Sequence, residues 1–242
     1  MVAEEASQMS VPEKSKGTIL EVIACTVEDA IEAEKGGADR LEIIRDLGAG
    51  GFTPTLDLVR GIQSRVKLPL RVMLREEPGF NSAGPDSIDR MCHIATELNE
   101  LNIDGVVIGF LVDGMVNIHL AAKVVSFAPD LAVTFHHAFE DALDKGAAIR
   151  EIKRIDRVDR ILSHGGFGAG NERVDTLSAY AAVAGSEIQI VAGGRIDLQM
   201  IKALREKTEI REFHVGTAAR ENGNVSSSRV KALAAAARGT YD

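Results

Sequence analysis

Among 242 residues, 28 Lys and Arg stand against 36 Asp and Glu, and the net charge of −8 argues against nucleic acid as a partner. Hydrophobic residues at 45% and charged residues at 26% describe a globular chain long enough for one large core, and no apolar run reaches the roughly 18 residues of a membrane span. Cys25 and Cys92 are too few for a disulfide framework or a cysteine zinc motif, so a reducing, cytoplasmic setting is expected.

Residues 1–17 are polar and read as a disordered leader before a single domain over 18–242. A strand is predicted over 19–24. Thr26, with Asp29 three positions on, then caps a helix over 27–35. Gly36 and Gly37 end that helix, Ala38-Asp39 follows, and 41–44 is the second strand. The alternation continues with a helix over 56–66, a strand over 68–74, a loop over 75–85 and a helix over 88–101. Next come a strand over 104–109, a helix over 118–127, a strand over 131–136 and a helix over 145–155. The last third holds strands over 158–163, 188–192 and 211–215, with helices over 174–184, 198–206 and 226–237. Eight strands alternating with eight helices predict an α/β fold, a (β/α)8 TIM barrel, with a doubly wound open sheet as the alternative.

Parallel strands buried on both faces are usually apolar throughout, so charges inside them carry information. In the second strand Leu41 and Ile43 suit the helix layer, which turns Arg40, Glu42 and Ile44 to the barrel axis. The same alternation sends Arg71, Met73 and Arg75 inward from the third strand and His136 from the fifth. The structural alternative is that these charges pair with one another in the barrel core, Glu21 and Glu42 against Arg40 and Arg71. Groups at the strand C-terminal ends lie near the mouth: Cys25, Arg75, His136, His137, Ser163 and His164, with Glu42 one layer beneath. Neighbours on a strand point opposite ways, so one of the two adjacent histidines is expected to face away.

These placements suggest Glu42 and His136 as an acid/base pair and Arg75, with Arg71, as groups for an anion. His164 is a further catalytic candidate or, with Glu42 and His136, a ligand for a divalent metal. The loops Gly193-Gly194-Arg195 and Gly216-Thr217 follow strands seven and eight, where barrels of this type hold phosphate. On this reading the chain is a small-molecule enzyme, an isomerase, epimerase or lyase acting on a sugar or sugar phosphate.

Taken together, several segments resemble the CutC family of copper homeostasis proteins. They are Leu20-Glu21-Val22, the run from Gly36 to Glu42, Gly50-Gly51-Phe52-Thr53-Pro54, Val72-Met73-Leu74-Arg75, the run from Asp104 to Gly109, Val133-Thr134-Phe135-His136, Ala138-Phe139-Glu140, Asp159-Arg160-Ile161-Leu162, Gly193-Gly194 and Glu212-Phe213-His214. The resemblance implies a TIM barrel, a cytoplasmic homo-oligomer, and copper or a small molecule as the partner. The family's usual cysteines after Glu-Val and at the end of strand two fall at Ile23 and Ile44. Cu(I) prefers sulfur ligands, which leaves Cys25 as the candidate thiolate. His137 and His164 stand where the family has other polar groups.

Overall fold

A computed structural model describes residues 17–81 and 84–240. The leader expected over 1–17 therefore lies outside the described residues except for Gly17. Eight parallel strands close into one barrel: β1 (Ile19–Ala24), β2 (Arg40–Ile43), β3 (Leu70–Met73), β4 (Gly105–Ile108), β5 (Ala132–Phe135), β6 (Val158–Ser163), β7 (Gln189–Ala192) and β8 (Glu212–Val215). Neighbours follow chain order, and β8 pairs back to β1 with Glu21 opposite His214. The helices α1 (Val27–Gly36), α2 (Leu56–Gln63), α3 (Pro85–Glu100), α4 (Ile118–Ser126), α5 (Lys145–Ile152), α6 (Gly170–Ala184), α7 (Leu198–Lys207) and α8 (Ser227–Arg238) alternate with the strands. The fold is the expected TIM barrel.

Local chemistry sets the helix starts. Thr26 accepts from the Asp29 N–H at 3.0 Å and caps α1, as the spacing predicts. Helices α3 and α6 begin three and four residues earlier than predicted. Pro85 is tolerated in the first turn of α3, where its missing N–H costs nothing, and Glu172 reaches back to the Ala169 N–H at 2.9 Å to start α6. Two short hairpins, 111–116 and 220–225, are additions to the predicted elements; their turns are Asp113-Gly114 and Asn222-Gly223, all four residues at positive φ. No helix among the described residues is long and apolar enough to cross a membrane.

Apolar side chains such as Leu41, Ile43, Val59 and Ile62 fill the layer between strands and helices, each at 0% exposure. Inside the barrel a separate cluster of Ile23, Ile44, Met73 and Val107 lies towards the strand C-terminal ends. Beneath it the axis is charged. Arg40 Nε donates to Glu21 at 2.5 Å and its Nη2 to Glu212 at 3.0 Å, while Arg160 Nε donates to Glu212 at 2.6 Å and its Nη1 pairs with Asp159. Arg71 closes the series, forked on Asp159 with both bonds at 3.0 Å and reaching Asp104 at 2.5 Å and Thr134 at 3.2 Å. Charge this deep is tolerated because the guanidinium forks are met by carboxylates.

Candidate functional site

Strand alternation brings Glu42 of β2 and His214 of β8 to the floor of a cavity of about 660 Å³ at the barrel mouth. Glu21, one strand position below, accepts from His214 Nδ1 at 2.7 Å, which fixes the ring and leaves Nε2 facing Glu42 at 3.6 Å. All three side chains are buried. Burial raises the Glu42 carboxyl, and the attraction of His214 only partly opposes it, so the group is pushed up to about 7. Burial would also raise Glu21, but the Arg40 charge and the His214 hydrogen bond outweigh it and hold Glu21 ionised below the usual carboxylate range. For His214, burial favours the neutral ring, yet the charge of Glu42 and the bond to Glu21 leave its pKa above the ordinary value. The floor therefore holds a protonatable carboxyl beside an imidazole that favours the cationic form.

The walls are apolar where Ile23, Ile44, Met73 and Leu162 face the cavity, and polar where His137, Ser163 and His164 do. Glu140, in the turn after β5, accepts from Ser163 Oγ at 2.6 Å and from the His164 N–H at 2.7 Å. The His164 ring is turned so that Nδ1 meets the Gly166 carbonyl at 3.0 Å, which makes Nδ1 the donor. Arg173 ties the rim together, donating to the carbonyls of His164 at 2.7 Å and Gly194 at 2.8 Å. Gly194 and Arg195 both have positive φ, 65° and 58°. A Cβ on Gly194 would fall 2.2 Å from His164 Cβ, so only glycine lets these two loops touch.

The structure sorts the residues singled out by sequence. Glu42, His164, Gly194, Arg195, Gly216 and Thr217 line the cavity, and Gly193 is buried just behind it. His136, expected beside Glu42, is fully buried instead; its Nδ1 accepts from the Ala138 N–H at 3.0 Å, and the cavity histidine of the pair is His137. The imidazole facing Glu42 is His214, two positions along β8 from the inward Glu212. Arg71, expected at an anion, sits instead at the far end of the charged axis on Asp104 and Asp159. Arg75 is buried beside the cavity under the Gly50-Gly51 turn. Burial depresses both His136 and His137, with the nearby Arg75 charge contributing; His137 falls to about 4. Both shifts favour the neutral ring.

Cys25 packs against the apolar cluster, but its Sγ is 3.6 Å from Arg220 Nη2, and burial pushes the thiol pKa up despite that cation. Among the described residues no group of three or more His, Cys, Asp or Glu is arranged to hold a metal ion. The two positions where the family resemblance would place thiols are Ile23 and Ile44, both in the cavity wall. This donor set does not fit a resident copper ion.

Residues 18–239 match the model of the CutC family. A family protein CutC of Xylella fastidiosa (strain 9a5c) is 31% identical over 196 residues, which cover 81% of this chain and 73% of the relative. The human copper homeostasis protein cutC homolog is 29% identical over 201 residues, covering 83% and 73%. Among solved structures, a copper homeostasis protein CutC from Streptococcus agalactiae superposes with a TM-score of 0.75 at 22% identity, over 83% of this chain and 98% of that one.

Proposed function

The chain belongs to the CutC family, and from that premise we propose that it serves copper homeostasis by handling a small molecule in the mouth cavity, without a copper ion of its own. The observation that carries this reading is the cavity itself: about 660 Å³, roofed by glycine-rich loops, with Glu42 and His214 on its floor and isoleucines in place of thiols. A volume of that order suits a metabolite-sized ligand. Both cysteines are free, which favours a reducing compartment, and we place the protein in the cytoplasm. The test is growth at raised copper of a host lacking the protein. The wild-type chain restores tolerance and Glu42→Gln does not; equal growth with and without the chain at raised copper removes the reading.

A second reading, acid/base catalysis on a sugar or sugar phosphate, is favoured by the protonation of Glu42. A carboxyl poised near 7 is matched to proton transfer at neutral pH, and cationic His214 beside it is placed to stabilise negative charge that develops on a substrate. That combination suits an isomerase, epimerase or lyase. Turnover of a candidate sugar that survives in Glu42→Gln rules this chemistry out.

A further inference from the structure

Three arginines of the barrel are at least nine-tenths buried, and two of them are answered by carboxylates: Arg40 by Glu21 and Glu212, Arg71 by Asp104 and Asp159. Arg75, at 9% exposure, is the exception. Among the described residues its guanidinium meets no carboxylate; Nη1 donates to the Gly51 carbonyl at 3.0 Å, and Nε has no partner. Its acidic neighbours in sequence turn away, Glu76 to Arg90 at 3.7 Å and Glu77 to the Ser87 hydroxyl. What surrounds Arg75 is aromatic. The guanidinium carbon lies 4.8 Å from the centre of the Phe52 ring and 5.0 Å from that of Phe80, and Phe80 in turn contacts His136 at 5.3 Å and His137 at 5.1 Å. The Nε2 of His136, wholly buried, also has no hydrogen-bond partner among the described residues. Ring faces offset part of the cost of burying a cation, but they leave its N–H groups without acceptors.

The site borders the mouth. Gly50 lines the cavity, and a Cβ added there would stand 3.5 Å from Arg75 Nη1 and 3.8 Å from His137 Nε2. Its φ of 85° favours glycine, so the turn keeps that approach open. The void on the other side of Arg75 is only about 20 Å³, room for roughly one water and no larger group.

We propose that Arg75, with His137 and the Gly50 turn, forms the subsite for an oxyanion group, carboxylate or phosphate, of the small molecule taken by the mouth cavity. Phe52 and Phe80 hold the guanidinium plane, and the oxyanion supplies the acceptors that the fold withholds. This subsite rests on the reading of the mouth as a ligand site. It is independent of what Glu42 does.

The test is titration of the full chain with inorganic phosphate and, separately, with acetate, against chloride at equal ionic strength, read by thermal unfolding and by the Arg75 Nε–H resonance. One anion or both raises the melting temperature and shifts that resonance; which of them does so tells phosphate from carboxylate. Arg75→Gln weakens the response by about 10- to 100-fold, the loss expected for a charged hydrogen bond. Arg60→Gln, on the exposed face of α2 and outside the cavity, leaves it intact. Gly50→Ala, which keeps Arg75 but narrows the approach and strains a turn at φ 85°, weakens the response as well, and circular dichroism of both variants guards against misreading a loosened fold. No response to either anion, a response unchanged in Arg75→Gln, or one lost in Arg60→Gln overturns the subsite. Glu42→Gln retains the response, so a failed anion titration beside a Glu42-dependent growth phenotype removes the subsite alone.

Discussion

His214 bonds Glu21 through Nδ1 at 2.7 Å and faces Glu42 through Nε2 at 3.6 Å, so one imidazole stands between two carboxyl groups of different protonation. Glu21, also paired with Arg40, stays ionised, while Glu42, for which burial outweighs the charges of His214 and Arg40, takes up protons near neutrality. The pair nearest the cavity is the pair that titrates.

In a pH titration followed by NMR, the His214 ring is expected to show an apparent pKa above the ordinary histidine value near 6.5. Glu21→Gln and Glu42→Gln each lower it, because each removes a negative partner. The curves belong to the coupled pair and are expected to be multiphasic in the wild type and simple in Glu42→Gln. A ring that titrates identically in all three proteins contradicts the arrangement.

Stability should fall with rising pH because of Glu42. In the folded chain Glu42 keeps its proton up to about 7, whereas in the unfolded chain it releases it near 4.5. Between those values the folded state binds more protons, so this group costs stability as pH rises, adds nothing below the lower value and is constant above the higher one. Glu42→Gln stays neutral and is expected to be more stable than wild type at about pH 8, by on the order of 1–3 kcal/mol, with the gap closing towards pH ~4.5. Thermal unfolding monitored by circular dichroism across that range decides it.

Arg71→Met leaves Asp104 and Asp159 without their shared cation at the base of the barrel. The expected loss is roughly 3 kcal/mol in urea unfolding, since breaking a buried pair strands Asp104, moderated here because both aspartates are about one-third exposed and Asp159 keeps Arg160. Anion response at the mouth is unchanged in the same variant. A simultaneous loss of that response would place Arg71 at the ligand.

Neither the wild type nor Cys25→Ser is expected to take Cu(I) from a chromogenic chelator. Ile23 and Ile44 share one apolar cluster in the cavity wall, so replacing both by cysteine brings two thiols to the same surface. The double variant is expected to acquire Cu(I) binding, because soft sulfur is the missing element. Stoichiometric Cu(I) uptake by the wild type, lost in Cys25→Ser, reverses this conclusion.

The barrel was legible because its strands repeat one local grammar: helix, glycine, a short polar dipeptide, then a buried apolar run. Alternation within β2 was enough to turn Glu42 inward. It failed for the two adjacent histidines because β5 ends at Phe135 and a 3-10 turn begins at His137, where a period of two no longer applies. His214 carried a readable signal, an inward position two residues after Glu212 in β8, but pairing it with Glu42 requires knowing that the last strand closes on the first. Glu140 gave no pattern of its own; it works from a turn, and its partners Ser163 and His164 are 23 and 24 residues away.

That closure has a kinetic meaning. The contact between Glu21 and His214 joins residues 193 positions apart, so the floor of the cavity comes into being only when the two ends of the chain meet. Contacts of such sequence separation are formed late and slowly. Every intermediate with an open seam lacks the site, and a nascent chain still missing β8 has no function to lose or to misdirect. Binding of the proposed ligand at the mouth would thus report that β8 has closed on β1.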